Sequence, residues 1–139
     1  MDINIVAVVA ASVAQFIIGG IWYMPIFGRL WGEIHGHNLL SPEEQKKAEA
    51  GMAPYLALQF VVTVVTTVVL AMFLYAFGGM WNPYGMAVFI WLGFVLPTQV
   101  SAVLFGGTKK EWMVTKIAIA SGGSLMCLLA GVFVLELFG

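Results

Sequence analysis

Residues 19–32 read Gly-Gly-Ile-Trp-Tyr-Met-Pro-Ile-Phe-Gly-Arg-Leu-Trp-Gly, and they close a long apolar segment and open the first polar one. The rings of tryptophan and tyrosine settle where the hydrocarbon of a membrane meets its headgroups. Pro25 has no backbone N–H, so the carbonyl of Ile21 loses its helical partner, a loss that is tolerated at a membrane edge. We therefore expect this stretch to fix the depth of a first membrane-spanning helix and to turn the chain into a loop. The residues of this interfacial anchor motif are Trp22, Tyr23, Pro25, Phe27, Gly28 and Trp31.

The composition of the chain indicates that lipid is its solvent. Of 139 residues, 61% are hydrophobic and only 9% are charged, and the mean hydropathy is +0.97. Soluble domains carry about 25% charged residues, and a chain this apolar could not cover itself with polar surface in water. The net charge of −1 argues against nucleic acid as a partner. The single cysteine, Cys127, excludes an intramolecular disulfide and a metal cluster built on several cysteines, and we expect no metal or other cofactor.

Four apolar segments are long enough to cross a membrane as helices, because about 20 residues cover roughly 30 Å of hydrocarbon. They lie at about 3–26, 54–77, 84–105 and 112–138, within a single integral membrane domain over residues 1–139. The polar loop 28–53 contains Ser41-Pro42-Glu43-Glu44, which suits a helix start with a capping box, so a short helix is expected to about Ala50. The predicted fold class is an all-α membrane protein: four transmembrane helices with a short cytoplasmic helix between the first and second.

The third apolar segment contains a proline, Pro97, four residues after Gly93. The proline removes one intrahelical bond from the Gly93 carbonyl, which predicts a kink near that position. The turn that joins the second and third segments is uncharged, so these two segments are expected to form a tight hairpin.

Three of the four segments each carry one glutamine, and amides buried in lipid need hydrogen-bond partners. Two interpretations remain open. In one, the amides line a polar seam that binds a small polar or ionic solute, and the protein is a small homo-oligomeric transporter or channel. In the other, the amides join helices, and the protein is a non-transporting scaffold or an accessory subunit of a larger complex. The seam candidates are Gln15, Gln59, Thr63, Gly93, Pro97 and Gln99. No catalytic constellation is present in the sequence, so an enzyme is not expected.

The fourth segment carries a face of small residues, Gly123, Cys127 and Gly131, repeated every four positions. Small residues at this spacing let another helix approach closely. We expect this helix-packing face to support a symmetric homo-oligomer in the bilayer.

The basic residues predict the orientation. An even number of spans places the first and third loops on the same side, and loops rich in Lys and Arg stay in the cytoplasm. Loops 28–53 and 106–111 are therefore expected to be cytoplasmic, with both termini outside. The six basic residues lie in or beside these loops: Arg29, Lys46, Lys47, Lys109, Lys110 and Lys116.

The anchor motif also resembles a known family signature. Its pattern, Trp-Tyr-x-Pro-x-Phe-Gly-x-x-Trp from Trp22 to Trp31, is similar to that of an uncharacterised bacterial membrane family, domain of unknown function 1761. The length, the Met-Asp-Ile-Asn start and the four apolar segments also fit, so the resemblance covers nearly the whole chain. It implies a four-helix fold and a multi-pass location in the bacterial inner (plasma) membrane. It brings no established activity.

Overall fold

The computed structural model describes residues 2–139, and that range contains six helices and no strand. Two of the six are short, Gly28–Ile34 and Pro42–Ala50, and lie between the first and second of the long helices. The other four in this range are long and apolar enough to cross a membrane, and we call them the first to fourth spans: Ile5–Ile26, Ala53–Ala76, Pro83–Leu104 and Lys110–Phe138. The predicted fold class, four transmembrane helices with a short helix after the first, is confirmed.

Several helices begin at residues that cap them locally. Asn4 Oδ1 accepts from the backbone N–H of Ala7 at 3.1 Å at the start of the first span. Ser41 Oγ accepts from the Glu44 N–H at 3.2 Å, as expected of a Ser-x-x-Glu start, and the Glu44 carboxylate accepts from the Ser41 hydroxyl at 3.0 Å. Such caps satisfy backbone donors that have no partner inside the helix, and they fix where each helix begins.

Two spans contain a π turn next to a proline. The first span ends in one over Trp22–Ile26, where the Phe27 N–H donates to the Trp22 carbonyl at 3.0 Å. The third span has one over Trp91–Val95, where the Leu96 N–H donates to the Trp91 carbonyl. Proline lacks an N–H, and a π turn moves each bond one residue further along, so the two features belong together. In the third span the expected irregularity thus takes the form of a π turn just before Pro97.

The first and fourth spans form the central pair of the bundle. The second span packs mainly on the first, and the third span packs on the fourth. Ala11 and Val132 of this pair have no exposed surface. The buried core cluster consists of Ala7, Val8, Ala11, Leu70, Ala87, Leu128, Val132 and Leu135.

The second and third spans do not form the tight hairpin expected from the sequence. A groove of about 250 Å³ lies between them, with Leu128 of the fourth span among its lining residues. Its second-span wall includes Thr66, Val69 and Phe73. Each of the two spans has its main partner elsewhere in the bundle, which is why they stay apart.

The spans give the molecule two chemically different ends. The six Lys and Arg residues lie in or near residues 27–52 and 105–109, and we call this the basic end. The opposite end holds the start of the first span, the end of the fourth span and the uncharged turn between the second and third spans.

Candidate functional site

A buried amide side chain lies in a junction of three spans. Gln15 of the first span is 4% exposed, and its Nε2 donates to Thr67 Oγ1 of the second span at 2.7 Å. Thr67 has no exposed surface and donates in turn to the Thr63 carbonyl at 2.7 Å. Gln15 Nε2 also lies 3.3 Å from the Ala11 carbonyl. The amide therefore joins the first span to the second.

The fourth span closes this junction with a glycine. A Cβ atom added to Gly131 would lie 2.8 Å from Gln15 Nε2 and 3.0 Å from its Cδ, closer than atoms approach without a shift. One turn earlier, the Cys127 thiol donates to the Gln15 backbone carbonyl at 3.4 Å. We call Gln15, Thr67, Cys127 and Gly131 the amide junction. Because its atoms are in close contact, the amide junction is a packed contact between three helices.

A second contact between the first and fourth spans holds a tryptophan in a glycine cradle. Trp22 Nε1 donates to the Ile119 carbonyl at 2.8 Å. A Cβ added to Gly122 would lie 3.0 Å from the Trp22 ring, and one added to Gly123 would lie 2.8 Å from it. Only the absence of side chains at these two positions lets the indole lie against the fourth span.

The other motif residues fold around this tryptophan. The rings of Trp22 and Phe27 have centroids 4.7 Å apart, and those of Tyr23 and Trp31 are 4.8 Å apart. The Lys116 ammonium of the fourth span lies 5.8 Å from the centre of the Trp31 ring, in a cation–π geometry. The motif is thus a compact aromatic turn that packs on the fourth span. Its position at the lipid headgroups stays a prediction.

The third span is joined to the fourth by two polar contacts that the sequence did not single out as a pair. Trp91 Nε1 donates to the Ser121 carbonyl at 2.8 Å, and Gln99 Nε2 donates to Ser124 Oγ at 2.6 Å. The Oε1 atom of Gln99 is buried and has no hydrogen-bond partner within residues 2–139. The tryptophan within the apolar third span could have predicted a polar contact to another helix, because a buried indole N–H needs a hydrogen-bond acceptor.

The structure does not bring the seam candidates together. Gln59 is exposed on the outside of the second span, where its Nε2 has a contact of 3.4 Å to Thr63 Oγ1. Gly93 and Pro97 are exposed on the third span, and nothing lies within 4 Å of a Cβ added to Gly93. Gln15 and Gln99 bond to different partners. Gln59 is exposed on the second span while Gln99 bonds to the fourth span, so these two amides do not line a common surface.

The small-residue face of the fourth span is occupied within the chain. Gly123 lies against Trp22, and Gly131 lies against Gln15 and Leu70. The face does pack a helix closely, as its spacing indicates, but the helix is the first span of the same chain. It is therefore not free for a second copy, and self-association would need another surface.

The two histidines of the polar loop contact different residues. His35 Nδ1 lies 2.9 Å from the Trp31 carbonyl, and His37 Nε2 lies 3.7 Å from a Glu49 carboxylate oxygen. Among the residues that the structure describes, no three His, Cys, Asp or Glu side chains are grouped so that they could hold a metal ion.

The fold and the buried contacts define a class: a multi-pass, all-helical membrane protein whose polar side chains connect its four described spans. The model of a family described as protein of unknown function (DUF1761) matches residues 6–136. The chain belongs to this family. No curated protein and no solved structure matches the chain.

Proposed function

We propose that the protein is a non-transporting membrane scaffold or accessory subunit, in which the polar side chains of the spans hold the helices together. The observation that carries the proposal is the amide junction. A residue on a solute path needs hydrogen-bonding groups that water or solute can reach. The amide N–H groups of Gln15 instead donate to the Thr67 hydroxyl and the Ala11 carbonyl within the bundle.

The two polar contacts of the third span support the same interpretation. Trp91 and Gln99 each bond to the fourth span, and neither lies in the groove between the second and third spans. The groove itself is lined by apolar side chains apart from Thr66, whose hydroxyl donates to the Val62 carbonyl of its own helix. An apolar groove offers little to a polar or ionic solute, because such a solute would lose its hydration without replacement.

The native Cys127 thiol gives a direct test, because it lies in the amide junction and is the only cysteine of the chain. A small water-soluble maleimide should fail to label Cys127 in the folded protein and should label it after unfolding in SDS. A Lys47→Cys variant in a Cys127→Ala background, with the thiol on the exposed short helix, is the control and should label rapidly in the folded state.

A Cys127 that reacts as fast as the control would show that water enters the junction. That result would favour the transporter or channel, and solute flux into proteoliposomes containing the wild type and a Gln15→Leu variant would then be compared.

A further inference from the structure

The second span presents an amide to the surrounding lipid. Gln59 is exposed, and within residues 2–139 its Oε1 accepts no hydrogen bond while its Nε2 makes only the 3.4 Å contact to Thr63 Oγ1. Gln59 lies roughly 8 Å from the midpoint of its span, inside the ~15 Å half-thickness of the hydrocarbon. An amide left unpaired at that depth is costly, so this position favours a partner from outside the chain.

The amide begins a stripe that runs along the second span. The stripe residues are spaced alternately three and four apart, which is the spacing of the seam between two packed helices. All of them are exposed, and the last three also line the groove between the second and third spans. We call this set the second-span stripe: Gln59, Val62, Thr66, Val69 and Phe73.

We propose that two copies of this chain pair through the second-span stripe, with the two Gln59 amides bonded to each other across a two-fold axis along the membrane normal. Identical chains enter a membrane in the same orientation, so the second spans of two copies are parallel and place Gln59 at the same depth. An amide is its own complement, since it has N–H donors and a carbonyl acceptor, and two facing amides satisfy each other. No charged residue lies between Glu49 and Lys109 to oppose this contact.

Other surfaces fit a second copy less well. The small-residue face of the fourth span is filled by Trp22 and Gln15. The neighbouring lipid-facing side of the second span, which includes Val61 at 56% exposure, offers only apolar side chains near this depth. Apolar side chains alone add little to the free energy of helix association in lipid. An interhelical hydrogen bond adds a stabilising contribution that depends on which residues face each other.

Disulfide cross-linking in membranes tests the pairing. In a Cys127→Ala background, Val62→Cys and Thr66→Cys, which both keep the Gln59 amide, should each give an oxidised species of twice the chain mass. Val61→Cys is the matched control, because it is exposed and faces a direction about 100° around the helix from Val62 and about 140° from Thr66. It should stay uncross-linked under the same oxidation.

A second measurement follows the amide itself. Energy transfer between differently labelled copies should show that Gln59→Leu weakens self-association about fivefold to tenfold, as expected for the loss of an interhelical amide pair. Equal cross-linking of Val61→Cys and Val62→Cys would overturn the pairing, as would unchanged energy transfer in Gln59→Leu or adducts with a polypeptide of another mass. None of these results depends on the reactivity of Cys127, so the pairing and the scaffold proposal can fail separately.

Discussion

Trp22 donates its indole N–H to the carbonyl oxygen of Ile119, 2.8 Å away in space and 97 residues later in the chain. Trp91 makes a bond of the same length to Ser121, so two tryptophans from different spans hold neighbouring carbonyls of the fourth span. Each tryptophan is the first residue of a π turn. The fourth span is thus the element to which both flanking helices are attached by polar contacts.

The glycine cradle should be intolerant of even one methyl group. Gly123→Ala places a Cβ 2.8 Å from the Trp22 ring, so we expect a loss of about 1–3 kcal/mol in the free energy of unfolding. Gly20→Ala is the control, because nothing lies within 4 Å of its added Cβ, and it should be neutral or stabilising by up to about 1 kcal/mol. Unfolding in SDS titrations measures both. Equal stability of the two variants would contradict the cradle.

The amide junction should show strong coupling between two positions. Gly131→Ala drives a Cβ into the Gln15 amide and should destabilise the protein, while Gln15→Ala removes the Thr67 bond and should also destabilise it. The double variant should lose clearly less free energy of unfolding than the two single variants lose together, because the shortened side chain at position 15 makes room for the new methyl group at position 131. The same SDS titration gives the four free energies of the cycle. Additive losses would show that the two residues do not share the junction.

Gln99 should matter less for stability than Gln15. Gln99→Leu gives up the bond to Ser124, but it also removes a buried Oε1 that has no partner in residues 2–139. Ser124 keeps a bond to the Ala120 carbonyl at 3.1 Å, so it is not left unsatisfied. We expect a change of less than about 1 kcal/mol, against about 0.6–1.7 kcal/mol or more for Gln15→Leu. A larger loss in Gln99→Leu would mean that Oε1 has a partner in the membrane.

The orientation of the bundle can be tested with single cysteines at its two ends. In a Cys127→Ala background, Lys46→Cys lies at the basic end and Asn82→Cys lies in the uncharged turn at the other. If the basic end faces the cytoplasm, as Lys and Arg in short loops favour, an impermeant maleimide added to whole cells labels only position 82. Labelling of position 46 from outside would reverse the orientation.

The sequence was most informative where structure depends on local chemistry. Apolar length alone indicates a membrane helix, because the backbone in lipid must satisfy itself. The Ser41 start of the short helix and the irregularity near Pro97 depend on residues within four positions of each other, and both appear in the structure.

Which helices touch could not be predicted in the same way. Gln59 and Thr67 are both polar residues of the second span, yet Thr67 is buried and Gln59 is exposed. Eight residues turn the helix by about 80°, enough to separate the two once the first span is in place. The partner of Gly123 was likewise hidden, because a small residue indicates a close approach and does not identify which helix approaches.

The bond between residues 22 and 119 also sets an order for assembly during synthesis. The first and second spans can associate through Gln15 and Thr67 as soon as both have entered the membrane. The carbonyl that Trp22 needs belongs to the fourth span, which leaves the ribosome after the first three. Until then the inner face of the early hairpin, with Gly19 and the Gln15 carbonyl, stays open to lipid or to an insertion factor. The centre of the bundle is therefore completed last, and a chain that stops before residue 110 lacks the helix that unites its two halves.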